Sequence, residues 1–378
     1  MKKKYLLTPG PTPVAESTMA AMGVPIIHHR HPEFQGILGE VRGLLKELFQ
    51  TKQEVLILCS SGTGAMEGTV VNCLSKGDRV VVVRGGKFGE RWDEISKAYG
   101  LEVDSIEVPW GQAVDPGEVK KRLAAKPAKA VMVQATETST GVAHPIKELA
   151  DIARNTDTLL MVDGVTGVGV SAIPFDEWGI DALVTGSQKA LMLPPGLAFA
   201  CLSDKAWKAA ENSDLPKYYF NFRKEHKKIK ENSTNYTPAI TLIIGLREVL
   251  GRVKAIGFDK VYAENARMAR ATRAAVKALG LELYAPDSPS NALTAAKSPA
   301  GINAQEIVKI MREDHGVTIA GGQAEAKGKI FRIAHMGFIS PWDLLVAIGA
   351  LETTLGKLGH KFTAGAGVAA LLQEMAKE

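Results

Sequence analysis

Cysteine is scarce in this chain. Three thiols, Cys59, Cys73 and Cys201, are an odd number with no Cys-x-x-Cys pair among 378 residues. That count offers neither a disulfide framework nor a zinc site, and it fits a reducing compartment. A strong charge of one sign is also lacking: 46 basic and 41 acidic side chains leave a net charge of +5. So slight an excess could favour anionic small molecules but does not indicate a nucleic-acid partner. No apolar run approaches the roughly 18 residues of a membrane span, so no membrane partner is expected. The apolar part of the N-terminus stops after Tyr5-Leu6-Leu7, before a prolyl turn, which is too short for a signal sequence. The chain ends Ala376-Lys377-Glu378, not a peroxisomal address. A cytoplasmic protein is expected. There is no internal repeat and no low-complexity segment.

The length exceeds what one hydrophobic core supports and suits two domains. Hydrophobic residues at 46% and charged residues at 23% are ordinary for a globular protein. Short apolar runs, at 55–59, 79–83, 102–107, 130–133, 158–162, 182–184 and 198–202, alternate with helical periods such as 64–74 and 88–99. The alternation predicts βα units and a mainly parallel sheet between helices. After about residue 203 the pattern changes. Helices are expected over 238–253, 258–279, 304–314 and 341–355, with strands near 317–320 and 330–334. The expected division is an N-terminal segment of residues 1–14 that contributes to the active site, a large domain of residues 15–256 and a small α+β domain of residues 257–378. The run RKEHKKIK from Arg223 to Lys230 reads as a solvated segment.

Three local patterns carry chemistry. Ser60-Ser61-Gly62-Thr63-Gly64 follows the strand VLILC and opens a helix. Small residues at a helix N-terminus let backbone N–H groups approach an anion, and the helix dipole favours negative charge there. A phosphate is the expected guest. The glycines also resemble a dinucleotide fingerprint, but the second strand ends Val83-Arg84-Gly85-Gly86 without the acidic residue a ribose needs. Arg84 keeps an NADP-dependent oxidoreductase open at this point. Next, Leu159-Leu160-Met161-Val162-Asp163 places a carboxylate at the carboxyl end of a buried strand. Such a group needs a cationic partner, and a protonated pyridine nitrogen is one. Finally, Thr185-Gly186-Ser187-Gln188-Lys189 puts a lysine just beyond another strand end. A lysine there can form a Schiff base with an aldehyde cofactor and afterwards carry a proton.

In this order, with Glu137-Thr138-Ser139-Thr140-Gly141 between them, the motifs resemble the class V aminotransferases of pyridoxal-phosphate (PLP) fold type I. Within these the resemblance is to the alanine/serine–glyoxylate, or serine–pyruvate, branch. It spans nearly the whole chain, from Thr8-Pro9-Gly10-Pro11 through His28-His29-Arg30-His31 to Lys329-Ile330-Phe331-Arg332. It implies a PLP aminotransferase working by a ping-pong cycle, with Lys189 bonded to the cofactor and Asp163 facing the ring nitrogen. Ser61, Gly62 and Thr63 correspond to the phosphate turn, and Gln188 to a side chain near the phosphate. Phe88 corresponds to the aromatic stacked on the ring, Val165 to the residue on the opposite face, and Thr138 to a hydroxyl beside ring and substrate. Many relatives carry Trp or Tyr at the position of Phe88 and often Ser at that of Thr138. Arg332 corresponds to the arginine that grips the substrate α-carboxylate, and Gly10 to a backbone contact with the substrate. Thr234 and Thr237 correspond to a segment reaching the phosphate of a neighbouring subunit. A homodimer with shared sites follows.

Other readings compete. A desulfurase of the same fold needs a mobile cysteine late in the chain, whereas Cys201 falls in an expected strand. Some similar chains bear the label of a soluble-hydrogenase subunit, yet no cluster or nickel ligand set stands out. His28, His29 and His31 hint at metal, but on a strand the first two would face opposite ways. No metal is expected, and a role in shaping the substrate pocket is preferred. Arg332 accounts for one carboxylate only. Alanine or serine with glyoxylate or pyruvate is therefore the expected substrate set. Phosphoserine or aspartate with 2-oxoglutarate is the alternative.

Overall fold

A computed structural model describes residues 3–377. Its centre is a seven-stranded sheet in the order Val55–Leu58, Ala198–Leu202, Ala182–Gly186, Leu159–Asp163, Ala130–Gln134, Arg79–Arg84, Glu102–Glu107. All strands run parallel except Ala198–Leu202, which is antiparallel to both neighbours. Five of the strands are buried along their whole length and are mostly apolar, because both of their faces are covered. The pleat sends alternate side chains into two separate cores. Val81, Val83, Leu160 and Val162 pack with the helices Pro32–Phe49 and Ile240–Ile256 on one face. Val80, Val82, Met132 and Met161 pack on the other with Met66 and Val70 of the helix Gly62–Cys73 and with Trp92 of the helix Lys87–Ala98. Trp92 is wholly buried.

The second half builds a three-stranded antiparallel sheet in the order Leu293–Lys297, Ile330–Ala334, Ala320–Gly321. A third core, including Met268, Val276, Ile307, Phe331, Leu344 and Leu351, joins it to the helices Phe258–Ala278, Ala304–His315 and Pro341–Lys357. Local chemistry marks the helix starts: Asn303 accepts from Gln305 N, and Ser340 and Asp343 form a reciprocal capping box. The N-terminal strand Tyr5–Leu6 pairs in parallel with Val317–Thr318, and Ala334 N donates to Leu7 O. This small sheet thereby delivers Pro9 and Gly10 to the large one.

Two expectations differ from the structure. The basic run is solvated on one face only: Phe222–Ile229 is an amphipathic helix that buries Phe222, Glu225 and Ile229. Its lysines are exposed, but every third or fourth residue packs inward, a period hidden by the charge around it. His28 and His29 do not lie on a strand. Residues 24–31 form an irregular connection in which the two imidazoles sit 4.5 Å apart, and His31 caps the helix Pro32–Phe49 by accepting from Glu33 N.

Candidate active site

The large sheet collects the functional loops along one edge. Asp163 ends one strand, and the adjacent strand ends at Gly186, three residues before Lys189. Ligands bind at such carboxyl ends in open α/β sheets because helix N-termini and loop backbones converge there. Asp163 is 4% exposed, and its Oδ1 accepts from Val165 N at 2.8 Å. Burial pushes its pKa up to about 6, with the hydrogen bond from Val165 working against the rise. Lys189 is 8% exposed and donates to Pro9 O. Burial brings its pKa down to about 8; Asp163 opposes that shift, while Arg332 and Arg91 add to it. A lysine in this state offers a far larger neutral fraction near neutral pH than an ordinary lysine, as a nucleophile or proton carrier requires.

Around this pair the structure gathers most of the expected residues. Val165 is buried, and a Cβ on Gly62 would overlap its side chain, so only glycine lets the turn approach so closely. Thr138 is buried and donates to Thr166 Oγ1 at 2.7 Å. Phe88 is half-buried in the first turn of the helix Lys87–Ala98. Ser61 stands at the N-cap of the helix Gly62–Cys73 without a side-chain cap, which leaves backbone donors at that terminus. The amide oxygen of Gln188 is buried without a partner and lies beside the turn, 3.1 Å from the place a Cβ on Gly186 would take.

Arg332 falls on the strand Ile330–Ala334 and is 4% exposed, not the surface arginine its sequence context alone would give. Nε and Nη2 donate to Gly321 O at 3.1 and 2.7 Å, and Nη1 donates to Thr138 O at 2.8 Å. Burial lowers its pKa to about 10, with Glu137 as the opposing charge. The guanidinium therefore remains charged, and three of its five N–H groups are bonded to the protein. Gly10 has a φ of +110° and packs directly on the Lys189 side chain. Thr12 Oγ1 donates to Lys189 O at 2.7 Å.

Thr234 and Thr237 lie apart from this cluster. They line a shallow hollow with Cys59, Tyr219 and Tyr236, and Thr237 is exposed. The histidines at 28, 29 and 31 are outward-facing and none is buried. Three residues of the site had escaped the sequence reading. Arg91 donates to Thr63 Oγ1 at 3.1 Å and stacks over the Phe88 ring at 4.7 Å. Thr166 bonds Thr138, and the fully buried Glu137 accepts from Phe88 N and Gly89 N. Arg91 sits one helical turn after Phe88, a spacing that could have revealed it. Glu137 carried no such signal.

The family model of the class-V aminotransferases matches residues 13–339. The chain belongs to the class V aminotransferases. It is 37% identical to the L-aspartate–glyoxylate aminotransferase of Paracoccus denitrificans, over 97% of this chain and 94% of that one. To the serine–glyoxylate aminotransferase of Methylorubrum extorquens it is 36% identical, over 97% and 95%. To a Synechococcus protein named as a soluble hydrogenase small subunit it is 44% identical, over 97% of both. Its fold superimposes on the ureidoglycine–glyoxylate aminotransferase of Bacillus subtilis with a TM-score of 0.94 at 27% identity, covering 100% and 99%.

Class V aminotransferases of this fold use pyridoxal phosphate, and the residues present fit it. The uncapped helix start, whose backbone N–H groups are free to donate, suits a phosphate. A buried Asp163, pushed towards protonation, suits a cationic ring nitrogen that would restore its charge. No metal-holding group of three or more His, Cys, Asp or Glu occurs among the described residues, and no helix there is long and apolar enough to cross a membrane.

Proposed function

We propose that this aminotransferase moves the amino group between a small L-amino acid, alanine or serine, and glyoxylate or pyruvate. The observation that carries this reading is the count of guanidinium groups near Lys189. Two are close enough to lower its pKa, and Arg91 is committed to Thr63 and Phe88 on the phosphate side. Arg332 is left for the substrate, and a planar fork grips one carboxylate. Amino and oxo acids share only the α-carboxylate, so the same arginine serves both halves of a ping-pong cycle. Glyoxylate is also the acceptor in the names of the Paracoccus and Methylorubrum relatives.

Pyridoxal phosphate supplies the electron sink that makes the Cα proton removable. Ser61, Gly62, Thr63 and Gln188 would hold its phosphate, Phe88 and Val165 the two ring faces, and Asp163 its ring nitrogen, with Thr138 beside it. Lys189 is the covalent anchor and, once freed, moves the proton at Cα. Its contact with Pro9 O and the packing of Gly10 hold the amine over the substrate seat. A panel of alanine, serine, aspartate and phosphoserine against glyoxylate, pyruvate and 2-oxoglutarate tests the substrates. Highest kcat/KM for alanine or serine with glyoxylate or pyruvate supports the reading. Preference for aspartate or phosphoserine, or for 2-oxoglutarate, overturns it.

We also propose a homodimer in which Thr234 and Thr237 approach the phosphate of the other subunit. The hollow they line carries Tyr219, stacked on Tyr236 at 4.9 Å, beside Tyr218, which is 75% exposed. An active monomer in sedimentation would remove this proposal. We place the boundary between the large and small domains at Gly257, between the helices Ile240–Ile256 and Phe258–Ala278. The first fourteen residues are treated as a separate active-site segment, and the compartment is proposed to be the cytoplasm from the three free thiols.

A further inference from the structure

The helix Lys87–Ala98, which carries Phe88, begins without a cap of its own. Its N-cap is Gly86, which has no side chain to offer. A helix start exposes backbone N–H groups that must find partners when buried. Here all three that precede the first intrahelical bond, Glu90 N to Gly86 O, are satisfied from some fifty residues away. Phe88 N and Gly89 N both donate to Glu137 Oε2 at 3.0 Å. Lys87 N donates to Ser139 Oγ at 3.1 Å, and that hydroxyl donates to Glu137 Oε1 at 2.6 Å. Ser139 N adds a further donor to Oε1 at 3.1 Å. The close approach needs glycine at 86, because a Cβ there would meet the Glu137 side chain at 2.5 Å. The positive end of the helix dipole rewards a carboxylate at this point.

The same turn reaches the substrate end. Thr138, between the two capping residues, accepts from Arg332 Nη1 at 2.8 Å through its carbonyl. The charge of Glu137 also supports the buried Arg332 cation. We propose that Glu137 is a positioning residue that fixes Phe88 against the cofactor ring by capping its helix in trans and, through Thr138, ties that ring clamp to the arginine of the substrate seat. The inference rests on the reading of Phe88 as the ring-stacking residue.

A Gln at 137 keeps the volume but turns one carboxylate oxygen into an NH2, which sets donors against donors and removes the charge. A purely structural cap would lower thermal stability without regard to Phe88. A positioning cap makes cofactor affinity depend on both residues together. The test is a double-mutant cycle on the purified full-length apoenzyme with Phe88→Ala, Glu137→Gln and the pair. Apparent Kd for pyridoxal phosphate is followed by fluorescence titration, and Tm is read in parallel. Glu137→Gln is expected to weaken binding about tenfold, the scale of a lost buried charged hydrogen bond. In the Phe88→Ala background the same change should cost less than about twofold, while the Tm losses add. Equal loss of affinity in both backgrounds overturns the inference and leaves the role of Phe88 standing. If Phe88→Ala alone leaves Kd unchanged, the stacking role fails and takes the inference with it. Should Glu137→Gln not fold, Ser139→Ala, which removes only the bridge to Lys87, carries the same cycle. A loss of about threefold that vanishes without Phe88 supports the inference, and a loss indifferent to Phe88 overturns it.

Discussion

The proposed cofactor side and the proposed substrate side of the site are built in different ways. The cofactor side hangs from strand ends of one sheet, with Asp163 and Lys189 only 26 positions apart and each within a few residues of its strand. The substrate side is assembled from three distant stretches. Pro9–Thr12 arrives from the N-terminus, Thr138 from the middle, and Arg332 from the small sheet. A group carried by a strand end inherits the rigidity of the sheet. A group held by contacts between segments depends on all of them, so damage on that side should spread to binding and leave the chemistry partly intact.

The widest gap between the two sides is expected at Lys189. Lys189→Ala should lower single-turnover transamination by up to about 10⁴-fold, the range for loss of a positioned acid–base group. Borohydride reduction followed by peptide mapping should find the pyridoxyl group on Lys189 in the parent protein, and its discovery on another lysine would refute the assignment. Asp163→Asn should come next. It is expected to keep the cofactor bound yet lose roughly 2–4 kcal/mol of transition-state stabilisation, because a neutral amide removes the anionic partner of the protonated ring nitrogen. Near-parental turnover in steady-state assays would contradict this role.

The substrate side should show a different signature. Arg332→Ala is expected to cost about 1.5–3 kcal/mol in kcat/KM, chiefly through KM, and equally for amino donor and oxo acceptor. Arg332→Lys keeps the charge without the fork and should lose less. Loss confined to one half-reaction would mean that Arg332 reads a side chain rather than the α-carboxylate. The comparison between the two sides would then collapse.

The smallest effect links the sides through Lys189. Cofactor uptake by the apoenzyme needs the neutral amine, so its rate should rise with pH through a midpoint near 8 and then level off. Asp163 raises that pKa and Arg332 lowers it. Stopped-flow uptake should therefore show the midpoint moving to lower pH in Asp163→Asn and to higher pH in Arg332→Ala. Unmoved midpoints in both variants would show that the lysine is governed by desolvation alone.

The same division separates what was legible in the sequence from what was not. Apolar residues placed the seven strands of the large sheet to within two residues at either end, most plainly in the five strands buried along their whole length, while the edge strand Glu102–Glu107 is mixed in composition and only partly covered. The turn at Gly62, Asp163 and Lys189 followed from those strand ends. Arg332 was reached only through the family resemblance, because nothing around it announces that its guanidinium is buried. Thr234 and Thr237 were named in the same way; Thr237 is exposed and Thr234 half-buried in the hollow they line. The helix at Phe222–Ile229 was masked by its own lysines, which charge its outer face while Phe222 packs against Gly68.

By itself the sequence determined the α/β order, the βα strand ends and the chemical character of the phosphate turn. All of these depend on residues near one another along the chain, whose periodicity and small side chains act locally. Only the tertiary structure decided the burial of Arg332 and the capping of the Phe88 helix by Glu137 and Ser139. It also decided the arrival of Pro9 at Lys189 across 180 positions. Each of these is a bond between segments whose separation in sequence carries no period. What brings them together is the burial of two sheets and three cores, so their partners are chosen by packing rather than by neighbouring residues.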